Sequence, residues 1–175
     1  VCTIVATDDN RVYSAVQQFG GTVMMTDPNH PTGTDRLAEV ASHYTDLDVV
    51  INVQGDEPMI DPNLIDDLAR LFEEDPNLQM ATVATPLLEE EYEEPSAVKV
   101  ILNNRNDAMY FSRSLIPYPR HDFVRPPLKH IGIYAYRREF LLNYAKMEPT
   151  PAEQTESLEQ LRALENGYTI RVILT

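Results

Sequence analysis

The run Val49-Val50-Ile51-Asn52-Val53-Gln54-Gly55-Asp56-Glu57-Pro58 decides the fold. Its first five residues read as a short buried strand, and they empty into a turn holding a glycine, two adjacent carboxylates and a proline. Carboxylates at the carboxyl edge of a parallel sheet lie where open α/β folds place their ligands. Oxygen-only side chains also suit a hard divalent cation such as Mg²⁺, whose shell substrate phosphates usually complete. The same residues serve equally as an acidic, proline-closed turn ahead of a helix. On these ten residues alone both readings stand.

Outward from this strand, helical and extended patterns alternate. Toward the N-terminus, Thr3-Ile4-Val5-Ala6 reads as a strand, and Asp9 or Asn10 caps a helix running to Gly20-Gly21. Thr22–Met25 is a second strand. A turn-rich loop from Asp27 to Gly33 leads to a helix from Thr34 or Asp35 to His43. After the central strand, Asp61-Pro62 places an N-cap before a first-turn proline, and that helix runs to about Glu73. Met80–Thr85 is a further apolar strand. Such alternation predicts a doubly wound, mainly parallel sheet flanked by helices.

The second half changes character. Val98–Leu102 and Ala108–Ser112 flank the turn Asn103–Asn106 as a hairpin, and a proline-rich, basic loop spans Ile116 to Leu128. Lys129–Tyr136 alternates strictly, with His130, Gly132, Tyr134 and Tyr136 on one face and Ile131, Ile133 and Ala135 on the other. Helices are predicted over Arg138–Met147 and Ala152–Asn166, and Thr169–Leu174 is the last strand. In the helix 152–166, Leu158, Leu161 and Leu164 mark the buried stripe. That puts Glu159 and Gln160 toward solvent unless they face a cleft or a second subunit.

Composition narrows the classes. The 175 residues fit one domain, residues 1–175, with 43% hydrophobic and 24% charged residues. No apolar run reaches the ~18 residues of a membrane span, and the start lacks a secretory pattern. The single cysteine, Cys2, is compatible with a reducing cytoplasm. The net charge of −14 argues against a general nucleic-acid or anionic-membrane surface. Yet Arg105 to Arg138 carries seven basic residues against two acids. That window fits either a locally held small anion or cations paired with the surrounding acids. Neither a G-x-x-x-x-G-K-[ST] loop nor a G-x-G-x-x-G turn occurs, which disfavours P-loop NTPases and standard dinucleotide dehydrogenases.

Two further stretches could carry chemistry. His30-Pro31-Thr32-Gly33-Thr34-Asp35-Arg36 ends a loop and starts a helix, so its backbone N–H groups suit an anion or a nucleobase. It could equally be a Thr34 N-cap behind a turn. His130 and Tyr134 share a strand face, four residues and roughly 13 Å apart, and suit either a hydroxyl-rich ligand or a packed core.

Taken together, Thr7-Asp8, His30–Arg36, Asn52–Pro58, Ala97-Val98-Lys99-Val100, Tyr110–Arg113, Ile116-Pro117, His130–Tyr134 and Leu158–Leu161 closely resemble the 3-deoxy-manno-octulosonate (KDO) cytidylyltransferase family in order and spacing. The resemblance implies a Rossmann-like, GT-A-type nucleotidyltransferase fold with a dimerisation hairpin/strand region. It implies a homodimer, Mg²⁺, and transfer of CMP from CTP to KDO for lipopolysaccharide synthesis in the cytoplasm. By position, Gly33, Arg36 and Gln54 match nucleotide-site residues, and Asp56 matches the metal-binding aspartate. Asp56 and Arg113 carry the catalytic assignment, while Arg113, His130, Tyr134, Glu159 and Gln160 match residues around the KDO. Sibling readings are a CMP-sialic acid or amino-KDO cytidylyltransferase, and a rival is a non-catalytic dimerising or ligand-binding module. Two segments common in the family are not among these residues: an N-terminal Arg/Lys-rich triphosphate loop and a C-terminal segment with a second metal-binding aspartate. Residues 1–175 alone are therefore expected to bind CTP poorly and turn over little.

Overall fold

A computed structural model describes residues 1–55 and 59–175. In chain order the elements are β1 (Ile4–Thr7), α1 (Asn10–Gln18), β2 (Thr22–Met25), α2 (Gly33–Ser42), β3 (Val49–Asn52), α3 (Pro62–Glu74) and β4 (Met80–Pro86). They continue with β5 (Lys99–Leu102), β6 (Ala108–Ser112), β7 (Leu128–Arg137), α4 (Arg138–Tyr144), α5 (Pro151–Glu156), α6 (Leu161–Glu165) and β8 (Ile170–Leu174). Local chemistry sets the helix starts. Asp9 accepts from the Arg11 N–H at 2.7 Å ahead of α1. Pro62 follows the Asp61 cap of α3, and α2 opens on a capping box between Thr32 and Asp35. The cap of α2 is thus Thr32 rather than Thr34.

The α/β architecture is as expected, but strand directions are mixed. β1 and β2 are parallel, as are β4 and β8. Through the middle runs β7, antiparallel to β3, β4 and β5. The reason lies in the connection. Between β4 and β7 the chain makes the β5–β6 hairpin and a long loop instead of a crossover helix, so β7 returns opposite to β4. The hairpin also reaches β8, where Asp107 bridges Arg171.

The alternation of β7 divides the core. On one face Ile131, Ile133 and Ala135 join Leu68 and Phe72 of α3. On the other, Tyr134 and Tyr136 meet Phe140, Tyr144, Leu158 and Leu161. The register between β4 and β7 slips after Thr82. Thr82 faces Tyr134 while the next residue, Val83, faces Ile131, and this bulge lies beneath the site described next.

Candidate functional site

The site is built around a break that the sequence hides. The single helix expected over 152–166 is two short helices. α5 stops at Ser157, whose φ and ψ of 51° and 50° are left-handed, and α6 begins only at Leu161. Arg113 supplies the physical reason. Its guanidinium donates to the carbonyls of Glu156 (2.6 Å), Ser157 (3.2 Å) and Pro95 (3.0 Å). A continuing helix would need the first two of those carbonyls for its own ladder. The Glu156 carboxylate in turn accepts from the Arg113 N–H and the Ser112 hydroxyl.

The break turns Glu159 and Gln160 inward, correcting the solvent-facing expectation. Gln160 is only 4% exposed. Glu159 Oε2 accepts from the Thr34 hydroxyl of α2 at 3.0 Å, and the Glu159 carbonyl accepts from the Tyr144 hydroxyl at 2.6 Å. Burial pushes the Glu159 carboxyl up, against the Thr34 bond and the Arg162 charge. Among the described residues, buried Glu159 Oε1 and Gln160 Nε2 have no hydrogen-bond partner, though Oε1 lies 3.8 Å from Arg162 Nη2. Such atoms are costly to leave unmatched, which makes them candidates for contact with a polar ligand.

Opposite them, β7 supplies an aromatic wall. The His130 and Tyr134 rings lie 5.3 Å apart, and Tyr134 stacks on Tyr136 at 5.9 Å. The two rings thus lean together although their positions on an extended strand predict a much wider separation. Burial pushes His130 down to about 4, so the imidazole is neutral near pH 7. Burial raises both Tyr134 and Tyr136 well beyond the ordinary phenol range, and the nearby Glu159 charge adds to it. Gln54, just past β3, lies over Gly132, its Nε2 3.7 Å from where a Cβ would stand.

A second group sits at the start of α2. Arg36 donates to Asp8 at 2.8 Å and to the Thr26 hydroxyl, which joins the Thr7-Asp8 and His30–Arg36 motifs. Glu39 holds the preceding loop, bonding the Asp27 N–H and His30 Nε2. Gly33, at the first turn, faces open space. Thr34 of this same turn reaches Glu159, so the two groups meet at one helix start.

Of the residues singled out from sequence, His130, Tyr134, Glu159, Gln160 and Gln54 thus fall around one surface, with Gly33 and Arg36 beside it through α2. Arg113 binds the backbone of the turn just ahead of Glu159 and borders a cavity with Tyr92, Glu93, Pro95, Ser114 and Leu115. Asp56 lies outside the described residues. Among the described residues no three His, Cys, Asp or Glu side chains cluster as metal ligands. Among the described residues no helix is long and apolar enough to cross a membrane. The basic window resolves mostly into structural contacts. Lys129 pairs with Glu91 and Arg105 with Asp107, while Arg137 and Arg138 bind backbone carbonyls. Arg120 and Arg125 stand exposed in the loop.

Sequence reasoning missed three residues here. Thr34 bonds Glu159 instead of capping α2. Thr82, fully buried, lies against His130. Lys99, also fully buried, donates to the carbonyls of Glu94 (2.7 Å) and Arg113 (3.1 Å). A lysine inside the apolar strand Val98–Leu102 is itself a signal, since a buried ammonium needs such acceptors.

Residues 1–170 match the cytidylyltransferase family model. The chain belongs to the cytidylyltransferase family. Within it, the chain is 51% identical over 173 residues to the 3-deoxy-manno-octulosonate cytidylyltransferase of Fusobacterium nucleatum, covering 98% of this chain and 71% of that protein. It is 52% identical over 167 residues to the Escherichia coli protein of the same name, covering 95% and 68%. The solved structure of a CMP:2-keto-3-deoxy-manno-octonic acid synthetase complexed with CTP superposes with a TM-score of 0.95 at 50% identity, over 100% of this chain and 72% of that one. The nucleotidyltransferase fold expected from the sequence is therefore the fold of this family.

Proposed function

We propose that this chain transfers CMP from CTP to KDO, giving CMP-KDO and diphosphate. The observation that carries the reading is the match in sequence and structure to a synthetase solved with CTP, at half-identity over the whole chain. The site geometry supports it from within. A neutral His, two Tyr, a carboxylate and a primary amide converge with unmatched buried polar atoms, the donor and acceptor mix a polyhydroxy acid needs.

In this reading the anomeric hydroxyl of KDO attacks the α-phosphorus of CTP in line, and diphosphate leaves as the new P–O bond forms. Little covalent chemistry falls to the protein; positioning carries the rate. His130, Tyr134, Glu159 and Gln160 hold the sugar, and Gly33, Arg36 and Gln54 the nucleotide. Arg113 holds the backbone at 156–157 so that Glu159 and Gln160 keep their aim. Mg²⁺ would be held by Asp56 and would neutralise charge on the phosphates. The working unit we propose is a cytoplasmic homodimer that serves lipopolysaccharide synthesis.

Diphosphate release that requires both CTP and KDO tests the reaction. Equal release with a sialic acid or an amino-KDO would overturn the sugar assignment. Release that never depends on KDO would overturn the reading altogether. Asp56→Ala is expected to abolish binding of Mn²⁺ used as a paramagnetic substitute for Mg²⁺; unchanged binding would remove Asp56 as the ligand.

A further inference from the structure

We propose that Thr82 is a positioning residue that fixes the tautomer of His130, placing the proton on Nε2 and leaving Nδ1 a bare acceptor. The proposal rests on the reading of His130 as a sugar contact for its purpose, but on the geometry of β4 and β7 for its substance.

Thr82 Oγ1 lies 2.7 Å from the Ile133 carbonyl, 3.3 Å from the Ile131 carbonyl and 2.9 Å from His130 Nε2. The bulge explains this crowding. Because Thr82 faces Tyr134 and Val83 faces Ile131, Gly132 and Ile133 fall outside the ladder with β4. The threonine hydroxyl serves the carbonyls that the slip leaves on this edge. Two oxygens 2.7 Å apart require a proton between them, and a carbonyl has none to give. The single hydroxyl proton therefore points at the backbone. What Oγ1 offers His130 is a lone pair, so Nε2 must bring the hydrogen.

A neutral imidazole has only one N–H, and burial keeps His130 neutral at physiological pH. With Nε2 protonated, Nδ1 can only accept. A ligand that uses His130 must then present a donor there, which a sugar hydroxyl does and an ether, a deoxy carbon or a carboxylate does not. Thr82 is fully buried and cannot touch a ligand itself. Its effect runs wholly through the ring.

The test is the long-range ¹H–¹⁵N correlation spectrum of the imidazoles in ¹⁵N-labelled residues 1–175 near pH 7.5. His130 is assigned by its absence from His130→Gln. The expected wild-type pattern is the Nε2–H tautomer, and this readout needs no variant. Thr82→Val, which replaces the hydroxyl by a methyl group, should lose that tautomer preference, and Thr82→Ser should restore it. An Nδ1–H pattern in the wild type would overturn the proposal, as would an Nε2–H pattern unchanged in Thr82→Val. In a chain that turns over CTP and KDO, Thr82→Val should raise the KM for KDO about five- to tenfold, the worth of one hydrogen bond. The KM for CTP should stay as it was. A tautomer that changes while the KDO KM does not would uphold the role of Thr82 and sink the reading of His130 as a sugar contact.

Discussion

Removing Glu153 should unseat the turn that aims the site, and the structure gives the size of the effect. Glu153 and Arg162 are 8% and 6% exposed. They form a bidentate pair, Nε to Oε2 at 2.8 Å and Nη2 to Oε1 at 2.5 Å. The Thr150 N–H adds a third bond to Oε2 at 3.0 Å. Burial pushes the Glu153 carboxyl up, but the Arg162 bonds outweigh it and hold the group below its ordinary range. Glu153→Ala strands a guanidinium between the Tyr144 ring and Glu159, whose Oε1 lies 3.8 Å from Arg162 Nη2. Breaking a buried pair in this way costs about 3–5 kcal/mol. For a chain of this size that lowers the melting temperature by roughly 6–20 °C. The freed Arg162 should also pull Glu159 away from Thr34. The paired replacement Glu153→Leu with Arg162→Met removes both charges and should recover most of the loss, because an apolar pair of similar volume is commonly neutral. Calorimetry on the single and double variants decides the matter. A single-variant loss under about 1 kcal/mol, or a double variant as poor as the two singles summed, would refute the reasoning.

Two further outcomes are expected. The carboxyl of Glu159 is raised by burial from its ordinary value of 4.5. Its contribution thus favours the fold at low pH and is lost as pH rises from that value through the folded one. Glu159→Gln should therefore gain stability relative to wild type between pH 4 and pH 7.5 in urea titrations, and a difference that does not change with pH would count against it. Lys99→Met leaves the carbonyls of Glu94 and Arg113 without their donor and should cost about 1–3 kcal/mol; a loss below about 0.5 kcal/mol in the same titration would remove Lys99 from the support of the Arg113 turn.

Where the sequence was legible, the determinants were close together. The Asp61-Pro62 start of α3 and the Asp9 cap of α1 each bond within two residues. The strict alternation of β7 correctly separated His130, Tyr134 and Tyr136 from Ile131, Ile133 and Ala135, since pleating fixes faces without outside help. Strand direction was another matter. β3 and β4 look like members of a parallel sheet in the local pattern, but their partner β7 lies dozens of residues away, and only the path of the hairpin between sets its direction. The motifs of the site could be spotted, but not how they meet. Arg36 finds Asp8 across 28 positions and Thr34 finds Glu159 across 125.

The turn at Ser157 shows why periodicity failed at the one place that matters most. Leu158, Leu161 and Leu164 carry a faultless helical spacing, and a serine in the left-handed region gives none of the warning that a glycine would. Ordering that residue costs about 1–2 kcal/mol in backbone strain, so something must hold it. The holder is Arg113, 44 positions away, whose two bonds to the 156 and 157 carbonyls replace those the helix gives up. Local propensity and tertiary contacts disagree here, and the contacts win: the break buries Gln160 and brings Glu159 to the Thr34 hydroxyl. A continuous helix would keep its own hydrogen bonds and lose the site. Conflict of this kind between local pattern and final structure is expected where function is placed, and it sets Arg113 apart from the other cations of its window. Four of those pair with carboxylates or backbone carbonyls elsewhere and two stand exposed, whereas Arg113 holds a strained turn next to two candidate sugar contacts.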